Sequence, residues 1–108
     1  MHFTVRFTRG AQADLRELHS YISKNDSLEN ADYVAREIVR TALTLRESPN
    51  RGAHPRELLR LGNRNYRQIL FQPFRIVYRL RSKTVFIALI ADGRREMASL
   101  LLRRLGAN

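Results

Sequence analysis

From Gly62 to Glu96 the chain carries three β-rich runs cut by two short breaks, and this punctuation constrains the fold more than any other feature. The first run ends Tyr66-Arg67-Gln68-Ile69-Leu70-Phe71 and stops at Gln72-Pro73. The second, Phe74–Leu80, stops at Arg81-Ser82-Lys83, and the third is Thr84–Ala91. Connections this tight make adjacent antiparallel strands the natural reading. Strand residues face alternate sides, so Ile76, Tyr78 and Leu80 point one way and Arg75, Val77 and Arg79 the other. Val85–Ala91 does not alternate, which predicts a strand buried on both faces in mid-sheet. A sheet that carries Arg64, Arg67, Arg75 and Arg79 needs a functional explanation.

The rest of the chain supplies helices for that sheet. Phe3, Val5 and Phe7 alternate with Thr4 and Arg6, so Phe3–Phe7 reads as a short strand, with Thr8 placed to cap a helix. Ala11, Leu15, Leu18 and Ile22 form one apolar stripe at helical spacing, and Asp14, Glu17 and Lys24 lie largely off it. Asn25-Asp26-Ser27 breaks this helix. A second follows with the stripe Ala31, Val34, Ile38, Ala42 and Leu45, ended by Ser48-Pro49-Asn50-Arg51-Gly52. The short break implies an antiparallel helical hairpin. His54–Leu61 reads either as one helical turn or as an ordered loop pinning Leu58, Leu59 and Leu61 to the core. After the Asp92-Gly93 turn, Arg94–Leu105 reads as a last helix anchored by Met97, Leu100, Leu101 and Leu105, with Gly106-Ala107-Asn108 fraying. The order is β-α-α-β-β-β-α, an α+β domain with the helical hairpin and C-terminal helix packed on a mostly antiparallel sheet.

At 108 residues the chain is expected to be one domain. It has no cysteine, so thiol chemistry, disulfides and thiolate metal sites are excluded, which suits a reducing cytoplasm. Its start lacks the apolar run of a signal peptide, and no stretch is long and apolar enough for a membrane span. The formal net charge is +10, with Lys24 and Lys83 the only lysines. That balance points to an anionic partner, nucleic acid or an acidic protein, against a plainer reading of solubility and arginine-rich codon usage.

In order and residues the chain resembles the RelE/ParE superfamily of bacterial toxins. The resemblance rests on Phe74-Arg75-Ile76-Val77-Tyr78, the apolar strand after it, Gly93-Arg94-Arg95-Glu96, and the opening strand followed by Ala13-Asp14-Leu15. His54-Pro55-Arg56-Glu57-Leu58-Leu59 and Ala91-Asp92-Gly93-Arg94-Arg95 are most similar to the ParE branch. The superfamily implies two activities. RelE-like members cut messenger RNA in the ribosomal A site; ParE-like members inhibit DNA gyrase. Both kinds are neutralised by a cognate antitoxin, so the fold alone does not choose between them. The resemblance to the ParE branch implies a ParD-like antitoxin, DNA gyrase as target, and contact with operator DNA only through the antitoxin.

RNA cleavage through the 2′-hydroxyl needs a proton acceptor, a proton donor and cations for the phosphorane. On the resemblance, Arg67, Arg75 and Arg95 match basic positions of the RelE-like site, a second lysine position falls near Gln68 or Ile69, and the late tyrosine position falls on Leu101. Arginine stabilises phosphate charge but holds its proton, which makes it a poor shuttle near neutrality. Asp92 is expected to belong to the turn and Glu96 to balance Arg94 or Arg95. His2, His19 and His54 have no metal-ligand spacing, so neither a metal nor a cofactor is expected. Tyr66 and Tyr78 read as core or sheet-face residues before acids, and Tyr66 is the better functional candidate because Arg64 and Arg67 flank it. The expectation is a non-enzymatic, gyrase-binding toxin using Arg64, Tyr66, Arg67, Arg75, Arg79, Arg94 and Arg95 toward target or antitoxin. The alternatives are a metal-independent endoribonuclease and an inactive toxin fold that binds only antitoxin and operator.

Overall fold

The computed structural model describes residues 2–106. The expected fraying over Ala107 and Asn108 lies outside the described residues. The elements are β1 (Thr4–Phe7), α1 (Arg9–Asn25), α2 (Leu28–Leu43) with a 3-10 turn over Thr44–Arg46, α3 (Arg56–Leu59), β2 (Arg67–Phe71), β3 (Phe74–Arg81), β4 (Thr84–Asp92) and α4 (Met97–Leu105). The strands form one sheet in the order β1-β4-β3-β2. β1 pairs parallel with β4, and the other pairings are antiparallel. β4 therefore lies in mid-sheet, and its sequence does not alternate because both faces are covered: Val85, Ile87 and Ile90 enter one core and Leu89 and Ala91 the other, with Phe86 and Ala88 half-buried.

The sheet separates two cores. On one face Ile69, Ile76, Tyr78, Val85, Ile87 and Ile90 pack against the α2 stripe, of which Val34, Ile38, Ala42 and Leu45 are buried. α1 covers the same face more loosely: Ala11 is buried, whereas Leu15, Leu18 and Ile22 are half-buried. On the other face Val77, Leu89 and Ala91 meet Leu58 of α3 and Met97, Leu100, Leu101 and Leu105 of α4. Both long helices start on side-chain caps. Thr8 Oγ1 accepts the Ala11 N–H at 3.1 Å, and Ser27 Oγ accepts the Asn30 N–H at 3.0 Å.

A register shift between Val77 and Tyr78 sets Val77 opposite Leu89 and Tyr78 opposite Ile87, leaving Ala88 as an extra residue in β4. β1 has stopped pairing by this point, its last partner being Ile87. The free edge of β4 is satisfied by side chains instead. Asp14 Oδ2 accepts the Ile90 N–H at 2.9 Å, and Arg104 donates to the Ala88 carbonyl at 3.1 Å. Asp14 and Arg104 pair through two hydrogen bonds of 2.9 and 3.1 Å, so α1 and α4 meet across the edge of the sheet.

Three sequence expectations change. The last helix begins at Met97 and not at Arg94, because the Asp92 carboxylate takes the Arg94 N–H and turns the chain first. Glu96 caps that helix, accepting the Ser99 N–H at 2.9 Å, where charge balance with Arg94 or Arg95 was expected. In the segment before β2, α3 buries Leu58 but leaves Leu59 half-buried and Leu61 56% exposed. The cause of the last is local. The Gly62 and Asn63 N–H groups bond back to the Leu59 and Leu58 carbonyls, and Gly62 takes a φ of 76°, so the chain reverses with Leu61 outside.

Candidate functional site

The seven candidate residues do not converge; the structure distributes them over three places. Arg75 leaves β3 on the α3/α4 face beside Gln68 of β2. Its Nε donates to Gln68 Oε1 at 2.7 Å, and Nη1 and Nη2 donate to the two Glu57 oxygens, both at 2.9 Å. The Arg75 side chain is 12% exposed and that of Glu57 24%. The hydrogen bonds from Arg75 hold the Glu57 carboxyl at about 2 against an ordinary 4.5, with partial burial opposing them. All three guanidinium nitrogens thus have partners within the chain. Gly93 passes close over this arginine: a Cβ there would stand 2.9 Å from Arg75 Cδ and 3.1 Å from the Pro73 carbonyl oxygen. Arg56, His54 and Arg94 rim the surrounding recess of about 440 Å³.

A second recess, of about 490 Å³, lies toward the β3–β4 turn and is lined by Arg64, Arg67, Arg79 and Arg81. Arg67 Nη1 donates to the Gly52 carbonyl at 2.7 Å and the Asn50 carbonyl at 3.2 Å. The same loop is fixed by Tyr78, whose buried hydroxyl donates to the Pro49 carbonyl at 2.6 Å and accepts the Gly52 N–H at 3.1 Å. Arg79 sits over the Tyr66 ring at 5.7 Å, a cation–π contact, while Tyr66 packs on the α3/α4 core. His54 lines both recesses. Its Nδ1 stands 2.9 Å from the Tyr66 carbonyl, so this nitrogen carries the proton and Nε2 keeps a lone pair when the ring is neutral.

Arg95 belongs to neither recess. It is exposed and lines a cleft between the end of β4 and α1 with Asp14, Glu17 and Tyr21. Arg94 pairs with Asp92 through contacts of 2.9 and 2.6 Å. The hydrogen bond from Arg94 lowers the Asp92 pKa, and Asp92 raises that of Arg94 in return. Leu101, at the late tyrosine position, is fully buried. Among the described residues no three His, Asp or Glu side chains cluster in a way that could hold a metal ion. No helix is long and apolar enough to cross a membrane.

Sequence reasoning missed Glu57, Gln68, Asp14, Arg81 and the place of His54. Gln68 was within reach. The two-residue break at Gln72-Pro73 sets Phe71 against Phe74 and hence Gln68 against Val77, on the face that Arg75 shares. Glu57 and Asp14 arrive from helices distant in sequence, and no local pattern announces their partners.

The solved structures similar in fold include chains from two toxin–antitoxin systems and one free toxin. A chain of the chromosomal ParDE toxin–antitoxin system of P. aeruginosa superposes with a TM-score of 0.72 at 24% identity, covering 84% of this chain and 96% of that one. A chain of the RelBE2 toxin–antitoxin complex of Mycobacterium tuberculosis gives 0.64 at 24%, covering 85% and 92%. A variant of E. coli toxin RelE in the free state gives 0.64 at 18%, covering 97% and 99%. These likenesses establish the fold, which the two branches share. No curated protein sequence matches the chain. The family model of the ParE toxin of the type II toxin–antitoxin system parDE matches residues 5–97, from the second residue of β1 to the first of α4. The chain therefore belongs to the ParE toxin family of type II toxin–antitoxin systems.

Proposed function

We propose that this toxin acts by binding, that its target is DNA gyrase, and that a cognate ParD-like antitoxin holds it inactive. One observation carries the choice of binding over RNA cleavage. Arg75, one of the three cations of a ribonuclease reading, has Nε, Nη1 and Nη2 committed to Gln68 and Glu57. To stabilise a phosphorane it would first have to abandon a carboxylate that holds it in a bidentate, largely buried pair. Arg67 is likewise bonded to the main-chain carbonyls of residues 50 and 52, and the late tyrosine position is the buried Leu101.

The antitoxin reading draws on the family and on a net charge of +10. An acidic, partly disordered C-terminal segment punctuated by apolar residues would gain encounter rate from charge and residence time from its anchors. Arg94 and Arg95 leave the buried strand β4 through a turn held by Asp92, so their backbone is ordered before any partner arrives. They are the residues we assign to gyrase.

The test expresses the toxin without antitoxin and reads supercoiling by gyrase alongside messenger RNA in a translating extract. Inhibited supercoiling with intact message is expected, weakened in the Arg94→Ala/Arg95→Ala double variant with its melting curve unchanged. Codon-phased cuts that disappear in Arg95→Ala would replace this reading with the ribonuclease one. Arg95 is the position for that comparison, since Arg75→Ala also removes the Glu57 pair.

A further inference from the structure

The arginines at the two ends of the sheet are compensated differently. Arg75 has Glu57, Arg94 has Asp92 and Arg104 has Asp14, each within 2.9 Å. Among the described residues no ion pair involves Arg64, Arg67, Arg79 or Arg81, and no carboxylate of those residues lines the recess they share. Arg67 bonds to carbonyl oxygens and Arg79 to the Tyr66 ring; these contacts fix their positions and leave their charge uncancelled. The scaffold beneath is firm. Arg67 pairs with Tyr78 across β2 and β3, and the buried Tyr78 hydroxyl ties down the loop that carries Asn50. Four like charges around one recess, two of them fixed by neutral partners, make a concentrated positive potential.

We propose that this recess binds the phosphate backbone of duplex DNA. Arginine forks match phosphate oxygens, and four in one concavity can meet successive phosphates of a strand. A single strand is the poorer fit, because its binding relies on aromatic platforms for unstacked bases; among the described residues no Phe, Tyr or Trp lines the recess, and the nearby Tyr66 ring is taken by Arg79. The contact reads charge and not sequence, so it differs from operator recognition, which the proposed function leaves to the antitoxin. It places the toxin on DNA independently of gyrase. On the gyrase reading, it would add a hold on the DNA segment that the enzyme engages.

The assay uses the full-length toxin, a short duplex of arbitrary sequence and no gyrase, so a negative result bears on this inference alone. Arg64 and Arg81 are exposed, and among the described residues their side chains make no hydrogen bond or ion pair, which suits them for substitution. Arg64→Gln/Arg81→Gln should weaken binding roughly tenfold or more near 0.1 M salt and reduce the slope of log K against log salt by about 2. Arg9→Gln/Arg36→Gln removes the same charge from helices α1 and α2 and should leave both quantities nearly unchanged. Equal losses in the two double variants would overturn the inference, since binding would then follow net charge. Displacement of the duplex by polyglutamate of matched charge more readily than by unlabelled duplex would overturn it too, in favour of an acidic protein. Melting curves of both variants matching the wild type exclude unfolding as the cause of a loss.

Discussion

Glu57→Gln removes the charge that Arg75 leans on while keeping the side chain's size, and its cost should depend on pH. The folded carboxyl titrates at about 2 against an ordinary 4.5, chiefly because of the Arg75 hydrogen bonds. A difference of that size corresponds to about 3 kcal/mol of linkage, and the pair's partial access to water brings the expected contribution to about 1–2 kcal/mol. Because the folded-state pKa is depressed, the unfolded chain takes up the proton first as pH falls. The stabilisation is therefore complete above about 4.5, shrinks as pH drops toward about 2, and is gone below that. Near neutrality Glu57→Gln should lower Tm by roughly 5–15 °C, at about 4–8 °C per kcal/mol for a domain near this size. Urea or thermal melts of wild type and variant, stepped from neutrality to about pH 3, measure the gap. A gap that stays constant over that range would refute the reasoning, because a lost contact that does not titrate has no such window.

Further predictions concern the supports around the sheet. Asp14→Ala leaves the Ile90 N–H without its acceptor and Arg104 without its carboxylate, and should cost about 2–4 kcal/mol, read by denaturant melts. Hydrogen exchange at Ile90 should accelerate in that variant more than at Ile87. Tyr78→Phe should cost about 1–3 kcal/mol, since the Pro49 carbonyl and Gly52 N–H lose a buried hydroxyl, and proteolysis should first nick the loop around Arg51. Leu101→Ala empties a fully buried site in the α4 core and should cost about 2–5 kcal/mol. Gly52→Ala should destabilise as well, because its Cβ would stand 2.6 Å from the Gln68 carbonyl and 2.7 Å from the Tyr78 hydroxyl; thermal melting decides.

Most of the fold was legible because its signals are local. The α2 stripe of Ala31, Val34, Ile38, Ala42 and Leu45 is the buried face observed, and Thr8 caps α1 as its position before the stripe implied. The Gln72-Pro73 break fixes the β2–β3 register, and the apolar run of β4 reports the cores on its two faces. The start of α4 was not legible. Arg94 and Arg95 have good helix propensity, and the Asp92 carboxylate turning back on the Arg94 N–H, with Glu96 capping from the next position, keeps them out of the helix. Nor did composition show that α3 and α4 take the opposite face from α1 and α2: an apolar stripe states that a helix is covered, not which side of a sheet covers it.

The site was less legible than the fold because an arginine's role depends on what reaches it from elsewhere. Arg75 and Arg79 lie on one strand, on the same face, four residues apart, and nothing in Phe74–Arg81 distinguishes them. α3 brings Glu57 to the first and turns it into half of a structural pair; the second receives only the ring of Tyr66. Arg104 shows the same dependence in α4, where a last-turn cation already has a local reason to exist in the helix dipole. Its larger role comes from Asp14, ninety positions away in the chain. Counting arginines therefore overstates the surface available to a partner at one end of the sheet and understates its concentration at the other. Charge that a neighbouring carboxylate cancels steers no ligand at a distance, whereas charge held on neutral oxygens or a ring keeps its field. By that criterion the surface around Arg64, Arg67, Arg79 and Arg81 has the stronger claim on an anion, and Arg75 has the stronger claim on the fold.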